Sequence, residues 1–354
     1  MQVVQITKPL ETVLTTVDEP TLGSNDVRIQ VLGTGICATD VEIYEGNMVY
    51  FTRGMASFPI IPGHEWVGRI LELGANVSGF AIGDHVVGEV SLGCSQCERC
   101  KSGQYHRCES RAETGILNRD GAFAQIIHHP AHYLHRINKD VPIASAALVE
   151  PTAVAFNGVL KAKVSPQDSV VVFGDGPIGL LVLQVAQAFG AKKVAMVGAS
   201  DHRLHKAVEL GADLVLDART DDVTARLLDW GQGILPEVAI EATGRPDAAY
   251  TALHSIKPGG RIVFQGLFAG QKLQGFDLDQ LVINDLTVMG ALASPNIWPD
   301  VIALVESDKV NPSAIVSHEL ALHEFDAGLE IAQNGSGIKV LIRQNPTDAT
   351  PQTQ

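Results

Sequence analysis

The chain has 354 residues, of which 45% are hydrophobic and 19% charged, with 26 Lys and Arg against 40 Asp and Glu for a formal net charge of -14. That length buries a large core and favours two domains, and the negative charge excludes phosphate backbones and anionic lipid, so neither nucleic acid nor membrane surface is expected as a partner. The start "MQVVQITKPLETVL" has no secretory pattern, no apolar run reaches the ~20 residues that span a bilayer, and an odd count of five cysteines argues against a disulfide framework, so a soluble cytoplasmic protein is expected.

Residues 1–150 read as β-rich, with short strand signals such as "DVRIQVLGTGI", "GRILELG" and "GDHVVGEV" broken by Gly, Pro and Asp. Cys37 stands in "GTGICATDVEIYEG", and "PIIPGHEWVGRI" sets His64 beside Glu65. Taken singly, Cys37 reads as a buried apolar thiol and the His-Glu pair as a surface pair. The stretch "GCSQCERCKSGQYHRC" then places Cys94, Cys97, Cys100 and Cys108 at C-x2-C-x2-C-x7-C spacing. Four thiolates so spaced can converge on one tetrahedral Zn2+. An iron–sulfur cluster also uses close cysteine runs and is the chemical rival. Four free thiols in an open loop would oxidise. A closed four-thiolate site has no open position, so it serves as a staple and the chemistry lies elsewhere. "IIHHPAHYLHRI" carries His128, His129, His132 and His135, read as surface imidazoles on strand and loop rather than a third metal site. "ALVEPTAVAFNG" puts Glu150 at the seam with the next region.

After residue 165 strands alternate with helices, the pattern of a parallel sheet covered on both faces. "SVVVFGDGPIGLLVLQVAQAFGA" is a strand, a glycine turn and a helix ended by Gly190, and "KKVAMVG", "ADLVLD", "EVAIEATG", "GGRIVFQG" and "LTVMGAL" supply five more strands. Gly174, Gly176 and Gly179 form G-x-G-x-x-G around Pro177 and Ile178. In that context the glycines allow a tight turn, a close approach to a pyrophosphate and tight helix packing. The rule for NAD places an acid ~20 positions on, at the end of the second strand. Gly198 occupies that place, followed by Ala199 and Ser200. The missing carboxylate permits NADP, with Ser200, His202 and Arg203 as phosphate donors. Asp201 weighs the other way unless it caps the next helix, so NADP is favoured slightly and NAD stays open. "FDLDQLVINDL" is expected to be a helix. From about residue 291 the helices "WPDVIALVES" and "EFDAGLEIAQ" and the strand "KVLIR" return to the first domain, and the polar tail "NPTDATPQTQ" is expected to be disordered. The expected fold is therefore α/β, a β-rich domain over 1–150 completed by 291–354 and a doubly wound Rossmann domain over 151–290.

Taken together, "GICATDVEIYEG", "PGHEWVGRILELG", "GDHVVG", the four-cysteine loop, "VEPTAVAFNG", "VFGDGPIGLL" and "ELGAD" resemble the zinc-dependent medium-chain alcohol dehydrogenase family over nearly the whole chain, nearest its polyol and threonine dehydrogenase branch. The resemblance implies a GroES-like first domain and two zinc ions, one catalytic and one structural. It places Cys37 and His64 as catalytic zinc ligands, with Glu65 and Glu150 as carboxylates that bind directly or through water. Thr39 matches the hydroxyl that takes the substrate proton, and Asp40 the carboxylate behind the zinc-bound histidine. Relatives carry a histidine three residues after the threonine. Here Glu42 stands there, and either relays the proton or is a solvated carboxylate. The implied substrate is a small alcohol or ketone, with Tyr44, Tyr50, Phe51, Arg53 and Ser294 as pocket candidates. The implied assembly is a homo-tetramer or homodimer, the tetramer favoured.

Overall fold

The structure, a computed structural model, describes residues 1–344. The tail expected to be disordered lies outside the described residues. The chain divides into two compact units. One comprises Met1–Glu150, Trp298–Glu306 and the chain from Pro312, and the other Pro151–Ile297 with Ser307–Asn311.

The first unit holds β1 (Asp26–Gly35), α1 (Ala38–Glu45), β2 (Glu65–Leu73), β3 (His85–Gly88), β4 (Ile126–Pro130) and β5 (Leu134–Arg136). β1 pairs antiparallel with β2, with β4 and with the strand Lys339–Arg343, while β2 continues the sheet into β3 and β5. Alternation along β1 sets its faces: Val27, Ile29 and Val31 are buried while Asp26, Arg28 and Gln30 are half-buried. The inward side chains pack on Trp66, Ile70, Val86, Ile127 and Leu134. From Gly33 to Ile36 the alternation stops and every residue is buried, so this strand end runs into the interior and delivers Cys37 there.

Helix α2 (Val149–Lys161) leads into the second unit. There β6 (Ser169–Phe173), β7 (Lys193–Gly198), β8 (Leu214–Asp217), β9 (Val238–Glu241), β10 (Arg261–Phe264) and β11 (Thr287–Gly290) form a parallel sheet in the order β8-β7-β6-β9-β10-β11. That order is doubly wound around β6, the strand that feeds the glycine turn. Helix α3 (Pro177–Ala188) follows, with Gly176 as N-cap and Pro177 at its first position. All residues from Gly179 to Ala186 are buried, and each of Leu180, Leu181, Leu183 and Val185 stabilises the unit by about 1.5–3 kcal/mol. Helix α4 (Asp201–Glu209) buries only Leu204 and Ala207, a narrow stripe at helical spacing.

Three expectations are corrected. Asp201 does not cap α4: Ser200 is the N-cap residue, and Asp201 pairs with Arg219 instead. The helix expected in "FDLDQLVINDL" is only Asp279–Ile283, stopped where Asp285 takes a positive φ of 49°. The histidines of "IIHHPAHYLHRI" are not all surface imidazoles. His129 is fully buried, with Nε2 at 3.1 Å from the Glu89 carbonyl, and burial pushes its pKa down to about 3. His128 pairs with Glu19, His135 with Glu89, and the His135 ring stacks on Trp298. The sequence pattern missed this because a histidine bonded to a backbone carbonyl is as buriable as an apolar residue. Only His132 is exposed.

Candidate active site

Antiparallel pairing of β1 and β2 in the register Gly35↔Glu65 builds the first site. The chain just beyond the end of β1 lies beside the chain just before β2, so Cys37 and His64 meet. The Cys37 Sγ, a His64 ring nitrogen and a Glu65 carboxylate oxygen all lie within 4.8 Å of one another. Gly35 is required there, since a Cβ at that position would stand 2.3 Å from Glu65 Oε2. His64 and Glu65 are buried and Cys37 half-buried.

The residues around this trio are mostly anionic. Asp40, fully buried in the first turn of α1, accepts from Cys37 N at 2.8 Å and from Gly63 N at 3.2 Å. Its carboxylate thus pins both donor-bearing segments. Burial holds its pKa above the ordinary carboxylate value, against the pull of His64. His64 Nδ1 is buried without a hydrogen-bond partner, with Asp40 Oδ1 3.8 Å away. Burial opposes protonation of His64, yet Cys37, Asp40 and Glu150 hold its pKa well above the ordinary value. Glu150, at the second position of α2, does not join the 4.8 Å group. Burial, with Glu65 and Asp40, raises its carboxyl to about 7 against the pull of His64 and Lys339. A thiol, an imidazole and carboxylates crowded into one interior call for a cation, and a mixed S/N/O donor set suits zinc with a position left for a substrate oxygen.

The strand Lys339–Arg343 contributes what the sequence did not announce. Its register Leu341↔Gly35 carries Lys339 to the level of Cys37. Lys339 is 3% exposed, and its Nζ donates to the Ile36 carbonyl at 2.8 Å and lies 2.6 Å from the Glu65 carboxylate. Burial works against its charge, but Glu65, Cys37 and Asp40 raise its pKa on balance. The available signal was a lysine opening "KVLIR", a strand in which every residue is buried, because a buried lysine needs a partner.

Thr39 Oγ1 lies 3.8 Å from Cys37 Sγ, so a hydroxyl stands beside the donor set. Glu42 sits one turn further along α1 and is exposed at the surface. Partial burial and the neighbouring Glu45 hold its pKa above the ordinary value. Tyr44, Tyr50 and Phe51 pack against Ile43, Met48, Ile60 and Ile116, and Tyr50 Oη accepts from Arg111 at 2.8 Å. Arg53 is exposed, and Ser294 is buried in the second unit.

The four thiols of the cysteine loop also come together within 4.8 Å, with Cys97–Cys100 and Cys94–Cys100 Sγ separations of 3.5 and 3.9 Å. A tetrahedron of Zn–S bonds has S–S edges of about 3.8 Å, so the spacing fits one ion. Backbone N–H groups of Gln96 and Cys97 lower Cys94 to about 6, and burial with the Cys97 thiol raises Cys100 to about 12.

In the second unit Gly174 adopts φ 117°, and a Cβ on Gly179 would stand 1.7 Å from the Gly174 carbonyl oxygen. A Cβ on Gly176 would meet nothing within 4 Å, leaving open space ahead of the α3 N-terminus beside Pro177 and Ile178. This is the cradle a pyrophosphate needs. Gly198 ends β7, and Ser200 and Arg203 begin α4.

Residues 23–139 match the alcohol dehydrogenase GroES-like domain, and residues 177–307 the zinc-binding dehydrogenase domain. The chain is 33% identical to a sorbitol dehydrogenase of Halalkalibacterium halodurans, over 92% of this chain and 93% of that one. It is 35% identical to an L-threonine 3-dehydrogenase of Pyrococcus furiosus, over 93% and 94%. The solved alcohol dehydrogenase of Thermus sp. ATN1 matches with a TM-score of 0.88 at 29% identity, covering 97% of this chain and 99% of that one.

Proposed function

From the premise that the chain belongs to the zinc-dependent medium-chain alcohol dehydrogenase family, we propose that it oxidises a secondary alcohol, of the polyol, sugar or cyclitol class, to the ketone. The Cys37–His64–Glu65 donor set, with its imidazole and carboxylate buried, carries this reading. These three residues would hold a catalytic zinc, with Glu150 as an exchangeable fourth donor and Asp40 as the positioning carboxylate behind His64. When bound, zinc supplies a Lewis acid that lowers the pKa of the alcohol, and the nicotinamide dinucleotide supplies the hydride acceptor. Thr39 Oγ1 takes the hydroxyl proton, and Glu42, three residues on, receives it at the surface. In the reverse direction Thr39 returns the proton to the carbonyl oxygen.

The likeness to the sorbitol dehydrogenase supports a polyol. The likeness to the threonine dehydrogenase supports a hydroxy amino acid as a second reading. An inert cofactor-binding relative is disfavoured, since Cys37, His64, Glu65, Glu150 and Thr39 are all present. Initial rates on polyols, sugars, inositols and threonine, with NAD and with NADP, separate these readings. Turnover confined to threonine would replace the polyol proposal, and turnover on none would favour the inert relative.

A proton relay through Glu42 makes turnover depend on its ionisation. Oxidation needs the carboxylate, so kcat rises with pH through the raised pKa of Glu42. In Glu42→Gln that acidic limb should move while the alkaline limb stays. An unmoved profile would leave Glu42 a solvated carboxylate.

Cys94, Cys97, Cys100 and Cys108 would hold the second, structural zinc. Elemental analysis should find two zinc ions per chain, and one in Cys108→Ser, together with faster proteolysis of 93–108. An unchanged zinc content in the variant would refute the four-thiolate site.

We further propose self-association through β11, as a tetramer rather than a dimer. β11 is a sheet edge on which Val288 is 40% exposed, and Leu292 close by is 59% exposed. Such an edge is a template for a second copy. Val288→Lys should yield a smaller species in sedimentation, whereas an unshifted profile would place the contact elsewhere. A cytoplasmic location is consistent with five free cysteines, and no helix among the described residues is long and apolar enough to cross a membrane.

A further inference from the structure

The end of β7 lacks an acid, yet a carboxylate is there. Asp175, between Gly174 and Gly176 in the glycine turn, accepts with Oδ2 from the backbone N–H of Ala199 at 2.9 Å and of Ser200 at 2.8 Å. Its Oδ1 has no hydrogen-bond partner among the described residues. A Cβ built on Gly198 would stand 2.4 Å from Asp175 Oδ2 and 2.5 Å from its Cγ. The side chain of Asp175 therefore fills the volume that a residue at the end of the strand would fill, and Gly198 is needed to admit it.

We propose that Asp175 selects NAD over NADP, supplying from the glycine turn the carboxylate that the end of the second strand lacks. This rests on the dinucleotide reading of the second unit. In this fold the adenosine ribose lies over the end of the second strand, where an acid receives the 2′-hydroxyl. Oδ1 is the acceptor left for that hydroxyl. The two amides that would otherwise welcome a 2′-phosphate are occupied by Oδ2, and the charge of Asp175 repels a phosphate dianion. The surrounding charges do not reverse this. The Arg219 guanidinium donates to both Asp217 and Asp201, so its charge is already shared between two carboxylates. The absence of an acid at position 198, which by itself permits NADP, is thus explained by the presence of one at 175.

Direct binding tests this without catalysis. Titration calorimetry or quenching of protein fluorescence should give a Kd for NAD about ten- to hundredfold below that for NADP, the range expected of hydrogen bonds to a charged group. Asp175→Ala should weaken NAD and tighten NADP so that the ratio falls toward one. Asp175→Asn, which keeps the shape and loses the charge, should relax NADP rejection. Asp175→Ala with Gly198→Asp moves the carboxylate to the strand end and should restore the preference for NAD. A tighter Kd for NADP in the parent, or a ratio unchanged in Asp175→Ala, would overturn the inference while leaving the dinucleotide site intact. Binding of neither dinucleotide would overturn the dinucleotide reading and this inference with it.

Discussion

His64→Ala should reduce alcohol oxidation on the order of a thousandfold or more while NAD binding stays within about twofold of the parent, because a Lewis acid contributes several kcal/mol to such a barrier. His64 is held in one place by its chain position, one residue before the Gly35↔Glu65 pair. No other imidazole belongs to the donor group. Alanine therefore removes a donor without a substitute, and the remaining thiol and carboxylates retain the ion weakly or not at all. Cys37→Ser should behave alike, since a serine hydroxyl is a poor replacement for a thiolate on zinc. The dinucleotide turn belongs to the second unit, from Pro151 to Ile297, so binding measured by fluorescence provides the internal control for folding. Zinc analysis should show the loss of one ion and retention of the ion in the four-cysteine loop. Full turnover in either variant would remove Cys37 and His64 from the chemistry.

The parts of this site that were legible in the sequence are those encoded in local spacing. The glycine turn, each of the six strands and the four-cysteine loop lie within short stretches, and local pattern suffices to read them. Cys37 and His64 are 27 positions apart, and only the resemblance to a family brought them together in the sequence. The structure supplies the physical cause, an antiparallel register that closes the two segments on each other. Partners brought from far along the chain stayed hidden. Asp40 was read as a support for the histidine, yet its nearest bonds are to the N–H groups of Cys37 and Gly63. Asp175 drew no reading from the sequence, because nothing in "GDGPIG" shows that its side chain reaches Ala199 and Ser200. Lys339 lies 274 positions from Glu65, and its role depends on a strand pairing that no local pattern contains.

Lys339→Met should lower stability by about 3–5 kcal/mol, a drop of about 10 °C in melting temperature. Methionine keeps the length and apolar stem of lysine, so little packing is lost. The loss is electrostatic: Glu65, 1% exposed, is left as a buried carboxylate facing no ammonium, and the Ile36 carbonyl loses its donor. The companion Lys339→Met with Glu65→Gln removes the orphaned charge as well and should recover much of the deficit, so a double-mutant cycle separates the ion pair from packing. Zinc supplies a second sign. A bound cation takes part of the charge of Glu65, so the deficit of Lys339→Met should be larger after chelator treatment than in the zinc-loaded protein, whereas a packing defect would be equal in both. Melting curves of the parent, the two single variants and the double variant, each with and without zinc, measure the coupling directly. Equal melting of Lys339→Met and the parent in both states would mean that the lysine carries no net load. A deficit that Glu65→Gln relieves but that zinc does not touch would mean that Glu65 faces away from the metal, and would leave Cys37 and His64 to hold it with Glu150.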